Sequence, residues 1–408
     1  MYPSSSSSSS SSLSSSSPLL EALKPEERGL HLIQLLIKCA NHAASGNLNL
    51  ADECLCQISR LASLHGDSMQ RLAARFASAL AVRLVKNWPG IHKALNYDTK
   101  WNKLELDQAR VIFTKAFPYL GFAYAIIART LLQAMSAERV IHIVDLGSAD
   151  PKLWAPLLQS FAALPDGPPH LKITCVHGNK AVLEKLGPKL VKEAEALDMP
   201  FQYNPLNVSL RELTKDMLKV RSGEALGFVS ILNIHVLLAQ DDQVDTQFRP
   251  KKSNIDVKDC KQMSEFLGMV RSMSPKVVLL VEQEAHHNLN HLVERFIEGL
   301  HYYSAIFDSL EASFGGLSSS SEERFVLEEI FGREIENIVA WEGVEREERH
   351  ERYAWWMVRF CEVGFKPVRL WLDSMEDSKK GYKIISQRTS LMICWNERPL
   401  YAVSAWTC

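Results

Sequence analysis

From residue 139 onward, short apolar runs alternate with helical segments, and this alternation constrains the fold more than any other feature. The apolar runs occupy 139–147, 171–178, 201–206, 225–238 and 276–284, and helices are predicted around 152–164, 180–197, 258–273 and 289–310. Continuous Val, Ile and Leu strands separated by helices are typical of a parallel sheet covered on both faces. The sequence therefore predicts an α/β fold with a Rossmann-like sheet.

The end of the chain has a different pattern. The segments "YKIISQRTSLMICW" (382–395) and "LYAVSAW" (400–406) flank "NERP" (396–399), which predicts an antiparallel hairpin added to the sheet. A parallel, doubly wound sheet that ends in an antiparallel hairpin is the layout of S-adenosylmethionine-dependent methyltransferases.

Residues 21–135 are predicted to be helical. Leu32, Leu35 and Leu36 share one helix face, and Leu72 and Phe76 share the face of a later helix. We expect a helical cap over 21–135, an α/β core over 136–408, and a disordered polyserine tail over 1–20, which has almost nothing to bury. A chain of 408 residues exceeds the size of most single cores, which also favours two lobes.

Charge and hydropathy exclude several classes of protein. The formal net charge is −2, and the basic clusters are as short as "RPKK" (249–252) and "KK" (379–380), so a protein that grips DNA through its own surface is disfavoured. No apolar stretch reaches the ~18 residues that span a bilayer, so no membrane association is expected. The eight cysteines form no C-x-x-C pair, which favours a reducing compartment.

The first strand ends in Asp145-Leu-Gly147, a position that holds a cofactor in many α/β enzymes. Close approach of a cofactor usually needs further glycines, but Ala149 and Asp150 follow, and the second strand ends at His177 instead of an acidic residue. We therefore expect no cofactor and no catalytic residue; Asp145 alone could still serve a ligand, but a carboxylate at a strand end is equally a helix cap or a loop organiser. The alternative is a small-molecule-binding or methyltransferase-like enzyme that uses the cleft near Asp145.

Two polar segments raise the question of further sites. In "EQEAHHNLNH" (282–291), His287 and His291 would share a helix face near Glu282 and Glu284, a possible metal site, but we favour a structural role because zinc needs three or four convergent ligands. The run "EREERHERYAWW" (345–356) predicts a solvent-exposed helix with i, i+4 ion pairs. His235, after the fourth strand, carries no catalytic signature.

Ordered motifs over about residues 24–408 resemble the plant-specific GRAS family, in particular its scarecrow-like group. Two leucine-rich regions lie on either side of "IHIVD" (141–145), and the sequences around 274–288 and 331–351 resemble the family's P-F-Y-R-E region. The chain then closes on "SAW" (404–406). The residues that match these motifs are His142, Asp145, Pro275, Tyr302, Arg333, Glu334, Trp395, Ser404, Ala405 and Trp406.

The resemblance implies a helical cap on a methyltransferase-like core. It also implies residence in the nucleus, with the cytoplasm as a second location, and transcriptional co-regulation in development or gibberellin-linked growth. Implied partners are other GRAS proteins, as homodimers or as heterodimers with members that include the DELLA type, and zinc-finger transcription factors, through which DNA is reached indirectly.

The family's first leucine-rich region is an association surface. The resemblance therefore makes Leu32, Leu35, Leu36, Leu72 and Phe76 the expected partner contacts. The alternative is that these side chains pack the cap against the core, because any amphipathic helix has such a face.

Overall fold

A computed structural model describes residues 24–86, 88, 90, 112–113, 117–240, 257–314, 321–370 and 381–408. The tail expected over 1–20 and the basic clusters at 249–252 and 379–380 lie outside these residues. Within the described part of the chain, no helix is long and apolar enough to cross a membrane.

One mixed sheet forms the centre of the molecule. Its strands are β1 (Val140–Leu146), β2 (His170–Val176), β3 (Phe201–Leu206), β4 (Ala225–Ile231), β5 (Val277–Gln283), β6 (Lys366–Val368), β7 (Tyr382–Ser386), β8 (Ser390–Trp395) and β9 (Arg398–Thr407). Their order is β3-β2-β1-β4-β5-β9-β8-β7, with β6 also paired to β9. Strands β1 to β5 are parallel and β9 runs antiparallel to β5, so the predicted fold class is confirmed.

The helices follow the predicted alternation. They are α1 (Pro25–Ala44), α2 (Leu48–Leu61), α3 (Ser68–Val85), α4 (Tyr119–Met135), α5 (Pro151–Ala162), α6 (Lys180–Ala196), α7 (Lys215–Leu218), α8 (Lys261–Ser272), α9 (Leu292–Phe314), α10 (Ser321–Ala340) and α11 (Tyr353–Glu362). Helix α3 is capped by Asp67, which forms a reciprocal capping box with Gln70. Two short 3₁₀ helices cover Ile234–Leu238 and Gly343–Glu345.

The antiparallel end of the sheet has more strands than the predicted hairpin. The segment 382–395 is divided into β7 and β8, which pair with each other through a turn closed by the Gln387 N–H and the Ser390 carbonyl, 2.8 Å apart. The predicted turn joins β8 to β9, and both of its central residues, Asn396 and Glu397, have a positive φ. Such a turn matches the twist of adjacent strands, so the chain continues directly into β9.

The helical region is completed by segments from the second half of the chain. The Arg71 guanidinium on α3 lies 2.7 Å from the carboxylates of both Glu311 on α9 and Glu328 on α10. The Phe76 ring meets the Phe296 ring of α9 at 5.1 Å, edge to face. Helices α1 to α3 therefore form one bundle with α9 and α10, where the sequence suggested a cap made from residues 21–135 alone.

Helix α4 packs on the sheet instead of in the bundle. The Tyr119 ring lies 5.1 Å from the Tyr401 ring of β9. Near the other end of the helix, Leu131 and Met135 lie so close to Gly227 of β4 that a Cβ there would contact both. Helix α4, which ends at the expected boundary near residue 135, thus packs on the sheet, and the division of the chain at that residue stays a prediction.

Candidate functional site

The turn after β1 is organised by the Asp145 carboxylate, which is completely buried. One oxygen accepts a hydrogen bond from the Ser148 N–H at 2.8 Å. The other accepts from the Ser148 hydroxyl at 2.7 Å, the Ala149 N–H at 2.8 Å and the Trp154 indole N–H at 2.8 Å. Both oxygens are therefore occupied by donors of this chain.

The space above Gly147 is also filled. Gly147 has a φ of +108°, which favours glycine, and a Cβ at this position would overlap the side-chain amide of Asn233. That amide donates a hydrogen bond to the Leu146 carbonyl at 2.9 Å. Asp150 caps α5 by accepting from the Lys152 N–H at 2.9 Å, and it accepts from the Tyr124 hydroxyl at 2.7 Å. The groups that line the usual cofactor position thus bond to one another.

A second set of buried polar side chains lies at the carboxyl ends of β4 and β5. His235 belongs to the 3₁₀ helix that follows β4, Glu282 lies near the end of β5, and His287 follows that strand. Glu348 and His350 belong to the extended segment that leads into α11. We call these five residues the His–Glu cluster. His235, Glu282, His287 and His350 are each less than 5% exposed.

The imidazoles of the His–Glu cluster are arranged around one carboxylate. His235 Nδ1 lies 2.8 Å from a Glu282 oxygen, while His235 Nε2 lies 3.3 Å from Oε2 of Glu348. His350 Nε2 lies 3.1 Å from the same Glu348 oxygen, and His350 Nδ1 lies 2.9 Å from Nδ1 of His287. Two ring nitrogens from distant parts of the chain therefore converge on one oxygen atom.

The surroundings of these groups change their proton affinities. Burial opposes the charged form of His235, but the carboxylates of Glu282 and Glu348 hold its pKa well above the usual value. Burial, together with the neighbouring His235, lowers the pKa of His350, and burial with His350 lowers the pKa of His287. The cluster on its own thus holds one imidazolium, at His235, between two carboxylates.

The predicted exposed helix over 345–356 is wrong. Regular helix begins only at Tyr353, and Arg346, Arg349 and Glu351 are buried. Arg346 donates to the His287 carbonyl at 2.9 Å, Arg349 donates to the Gly343 carbonyl at 2.8 Å, and Glu351 pairs with Arg359 at 2.6 Å. One i, i+4 pair, Glu342–Arg346 at 3.6 Å, is present, but the bonds to His287, Gly343 and Arg359 hold the segment outside a regular helix.

The predicted geometry of 282–291 is also wrong, because α9 begins at Leu292 and no helix face joins His287 to His291. His291 is exposed, and Glu284 accepts the Tyr353 N–H at 2.8 Å at the start of α11. His287 still belongs to a buried polar cluster, but Glu348 and His350 come from a segment that the sequence assigned to the surface. The available signals were His287 and Glu282 in the polar segment 282–291 and His235, a histidine shortly after a parallel strand.

The family-motif residues are distributed through the core. His142 on β1 is buried and has both ring nitrogens bonded, to Glu224 at 2.9 Å and to Thr174 at 2.8 Å. The hydroxyl of Tyr302 donates to the Leu400 carbonyl at 3.0 Å. Arg333 is half-buried, 3.8 Å from Glu329, and Pro275 is buried in the turn before β5.

Glu334 lies next to the His–Glu cluster. It accepts hydrogen bonds from the Tyr303 hydroxyl at 2.8 Å and from the Gln283 amide at 3.2 Å. Burial, and then the Glu348 carboxylate, raise the pKa of Glu334 to about 7. This motif residue is therefore part of the polar surroundings of the cluster.

The terminal motif holds the last strand in place. The Trp406 indole N–H donates to the Ser404 hydroxyl at 3.1 Å, and the Trp406 ring stacks on Phe360 at 4.5 Å. Ala405 is completely buried. The indole N–H of Trp395 donates to Asp308 at 2.7 Å, which ties β8 to α9.

The five expected partner contacts lie inside this chain. Leu35 is 6% exposed, and the other four, Leu32, Leu36, Leu72 and Phe76, are at most 1% exposed. The reason is that α9 and α10 cover the apolar faces of α1 and α3. In the single chain, the burial favours the alternative that these side chains pack the interior.

Comparison with known proteins places the chain in a family. The model of the GRAS domain family matches residues 32–407. Scarecrow-like protein 3 of Arabidopsis thaliana is 40% identical over 442 residues, covering 95% of this chain and 91% of that protein. DELLA protein RGL3 of the same plant is 34% identical, covering 93% of this chain and 70% of that protein.

A solved structure agrees with this placement. The crystal structure of SCL7 from Oryza sativa matches with a TM-score of 0.75 at 30% identity, covering 92% of this chain and 99% of that one. The resemblance found in the motifs is therefore confirmed: the chain belongs to the GRAS domain family of transcriptional regulators, and it is similar to both scarecrow-like and DELLA proteins.

Proposed function

We propose that this protein is a non-enzymatic transcriptional co-regulator of the plant nucleus that acts by binding other proteins in developmental or gibberellin-linked growth control. Membership of the GRAS family supports the regulatory role. The observation that carries the non-enzymatic part is the turn after β1, where both Asp145 oxygens are bonded and Asn233 fills the space above Gly147. A scaffold whose cofactor position is filled by its own side chains is suited to present surfaces to partners.

The proposed partners are other GRAS proteins, with the DELLA type included, and zinc-finger transcription factors that contact DNA. A formal net charge of −2 supports indirect contact with DNA, because proteins that bind the phosphate backbone usually present a basic face. The isolated protein should therefore not shift promoter DNA at physiological salt. A sequence-selective, salt-sensitive shift without an added partner would contradict this part of the proposal.

Pairing with other GRAS proteins is proposed to use the solvent side of the helical bundle. The inward faces of α1 and α3 are already covered, but Leu30 on α1 is 61% exposed and Leu50 on α2 is 44% exposed. Exposed leucines on the first leucine-rich region are suitable anchors, because a few large apolar side chains supply most of the energy of a typical interface.

The test is co-purification with a DELLA protein, using Leu30→Asp as the interface variant. Val191→Asp is the matched control, because Val191 is also an exposed apolar residue on a helix, at 38% exposure on α6. We expect Leu30→Asp to weaken pairing at least tenfold with unchanged thermal unfolding, and Val191→Asp to leave pairing unchanged. Equal pairing of all three proteins would overturn the proposed surface.

A third variant separates the interface from the interior. Leu36 is completely buried, so Leu36→Ala should cost about 2–5 kcal/mol of folding stability through the cavity that it leaves. If Leu36→Ala weakened pairing without lowering stability, the buried leucines would be contacts after all.

The enzyme alternative is tested by calorimetry with S-adenosylmethionine. We expect binding no tighter than millimolar, because the cofactor would have to displace the bonds of the Asp145 turn. Micromolar affinity that is abolished by Asp145→Ala would favour the enzyme.

A further inference from the structure

We propose that the His–Glu cluster is a zinc-binding site, with His235, Glu348 and His350 as ligands. The three side chains offer ligand atoms that all lie within 4.8 Å of one another. The Nε2 atoms of His235 and His350 lie 3.3 Å and 3.1 Å from the same Glu348 oxygen. Zinc binds imidazole nitrogen and carboxylate oxygen at about 2.0–2.2 Å, so adjacent ligands of a tetrahedral ion are separated by about 3.4 Å.

The surroundings of both histidines are those of metal ligands. In metal sites, the second ring nitrogen of a ligating histidine is usually held by a carboxylate or another polar group. His235 Nδ1 is held by Glu282 at 2.8 Å, and His350 Nδ1 is held by His287 at 2.9 Å. Each of these bonds leaves Nε2 as the nitrogen that faces Glu348.

Hydrogen bonds within the described residues leave part of this cluster unsatisfied. Nε2 of His235 and Nε2 of His350 both approach the same Glu348 oxygen, and the approach from His350, at 3.1 Å, is poorly aligned for a hydrogen bond. Nε2 of His287, which is completely buried, likewise has no partner among the described residues. A divalent cation between the three side chains would bind Nε2 of His235, Nε2 of His350 and the Glu348 oxygen at once.

The chemistry of the ligands favours zinc over magnesium or calcium. Imidazole nitrogens suit zinc and neighbouring transition metals, whereas magnesium and calcium prefer oxygen ligands. Glu282 and Glu348 together would balance the two positive charges of the ion. The side chain of Glu348 is 26% exposed, so the site has access to solvent, and a water molecule would supply the fourth ligand.

The site would link parts of the chain that lie far apart in sequence. His235 follows β4, whereas Glu348 and His350 belong to the extended segment before α11. Bound zinc would therefore fasten this segment to the sheet, in a role independent of partner pairing and of the filled turn at Asp145.

The first experiment titrates the full-length protein, freed of metal with a chelator, with zinc in competition with a chromophoric chelator. We expect one zinc ion per chain at submicromolar affinity and a higher unfolding temperature when zinc is bound. Cobalt substituted for zinc should give the visible d–d bands of a tetrahedral nitrogen–oxygen site. Failure to saturate below about 10 µM zinc, or a spectrum dominated by thiolate-to-cobalt charge transfer from the free cysteines, would overturn the proposal.

The second experiment compares variants. His350→Gln removes a ligand and should weaken zinc binding more than a hundredfold, whereas Glu282→Gln removes only the partner of His235 and should weaken it by about 10–100-fold. His301→Gln is the matched control, because His301 is an exposed histidine outside the cluster. Zinc affinity that is unchanged in His350→Gln, or lowered equally in His301→Gln, would contradict the assignment. If the ligand variants fail to fold, the wild-type titration and the cobalt spectrum decide the question.

Discussion

Two sets of buried polar groups lie at the carboxyl edge of the same parallel sheet, and they differ in how completely this chain satisfies them. The Asp145 carboxylate after β1 accepts four hydrogen bonds from three residues close to it in sequence. In the His–Glu cluster after β4 and β5, two imidazoles converge on one oxygen, and His287 Nε2 has no partner among the described residues. A saturated site stabilises its own loop, whereas an unsaturated site can accept a ligand.

The two sets also differ in their place along the edge of the sheet. The position after β1, where a Rossmann-like sheet usually holds a cofactor, is the saturated one, whereas the His–Glu cluster follows β4 and β5, the next two strands of the sheet. A binding site in this molecule is therefore better sought from the bonds that each polar atom makes than from the position that the fold usually employs.

The largest expected effect is that of Asp145→Ala. This change leaves the Ser148 and Ala149 N–H groups and the Trp154 indole N–H buried without an acceptor, and each such group costs about 1–3 kcal/mol. We expect a loss of about 4 kcal/mol or more in the free energy of unfolding, measured by urea denaturation. Asp145→Asn keeps one acceptor oxygen and should lose less. A loss below 1 kcal/mol in Asp145→Ala would show that the hydrogen bonds of the Asp145 carboxylate do not stabilise its loop.

Gly147→Ala tests whether the space above the turn is filled. The added Cβ would overlap the Asn233 amide, and alanine is strained at a φ of +108°, so we expect a loss of about 3 kcal/mol. The double variant Gly147→Ala/Asn233→Ala should recover the part of this loss that is due to overlap, but not the part due to backbone strain. If the loss in the double variant equalled the sum of the losses in Gly147→Ala and Asn233→Ala, Asn233 would not fill this space.

A third test uses pH, because His142 is a saturated histidine that contrasts with those of the cluster. Burial, and then the charge of Lys172, lower the pKa of His142 to about 4, although Glu224 acts in the opposite direction. The unfolded chain takes up this proton near pH 6.5 and the folded chain does not. The contribution of His142 to the free energy of unfolding is therefore complete above pH 6.5. It should fall by roughly 2 kcal/mol as the pH falls toward 4.

The measurement is the free energy of unfolding at pH 7, 6, 5 and 4.5 for the wild-type protein and for His142→Gln. The variant isolates the contribution of His142 from that of other buried histidines, and it should show a shallower loss. Parallel curves for the two proteins would mean that His142 is not kept neutral by the fold.

The sequence predicted the sheet and the Asp145 turn because their causes are local. Apolar periodicity sets the strands, and the groups that satisfy Asp145 follow within nine positions of it. The cluster depends instead on which strands are neighbours and on an extended path over 346–352. The charged residues of that path have the helical spacing and therefore predict a helix, whereas Arg346 binds the His287 carbonyl and Arg349 binds the Gly343 and Gln240 carbonyls. The leucine-rich faces were likewise expected to be open, because the helices that cover them, α9 and α10, come from the other half of the chain.

The smallest expected effect is that of His287→Phe, measured in the presence of a chelator. The phenyl ring keeps the contacts of the imidazole with Tyr303, at 5.7 Å and nearly parallel, and with the edge of Tyr302 at 5.5 Å. The variant loses the bond to His350, but it also removes a buried nitrogen that has no partner among the described residues, so the two effects should cancel to within about 1 kcal/mol. His142→Phe is the matched control: it removes a buried imidazole with both nitrogens bonded, and it should cost clearly more. With zinc added, His287→Phe should lose the gain in stability that the wild-type protein shows, because the ring that orients His350 is gone. If His287→Phe cost as much as His142→Phe without zinc, the cluster would be as saturated as the Asp145 turn, and the contrast between the two sites would fail.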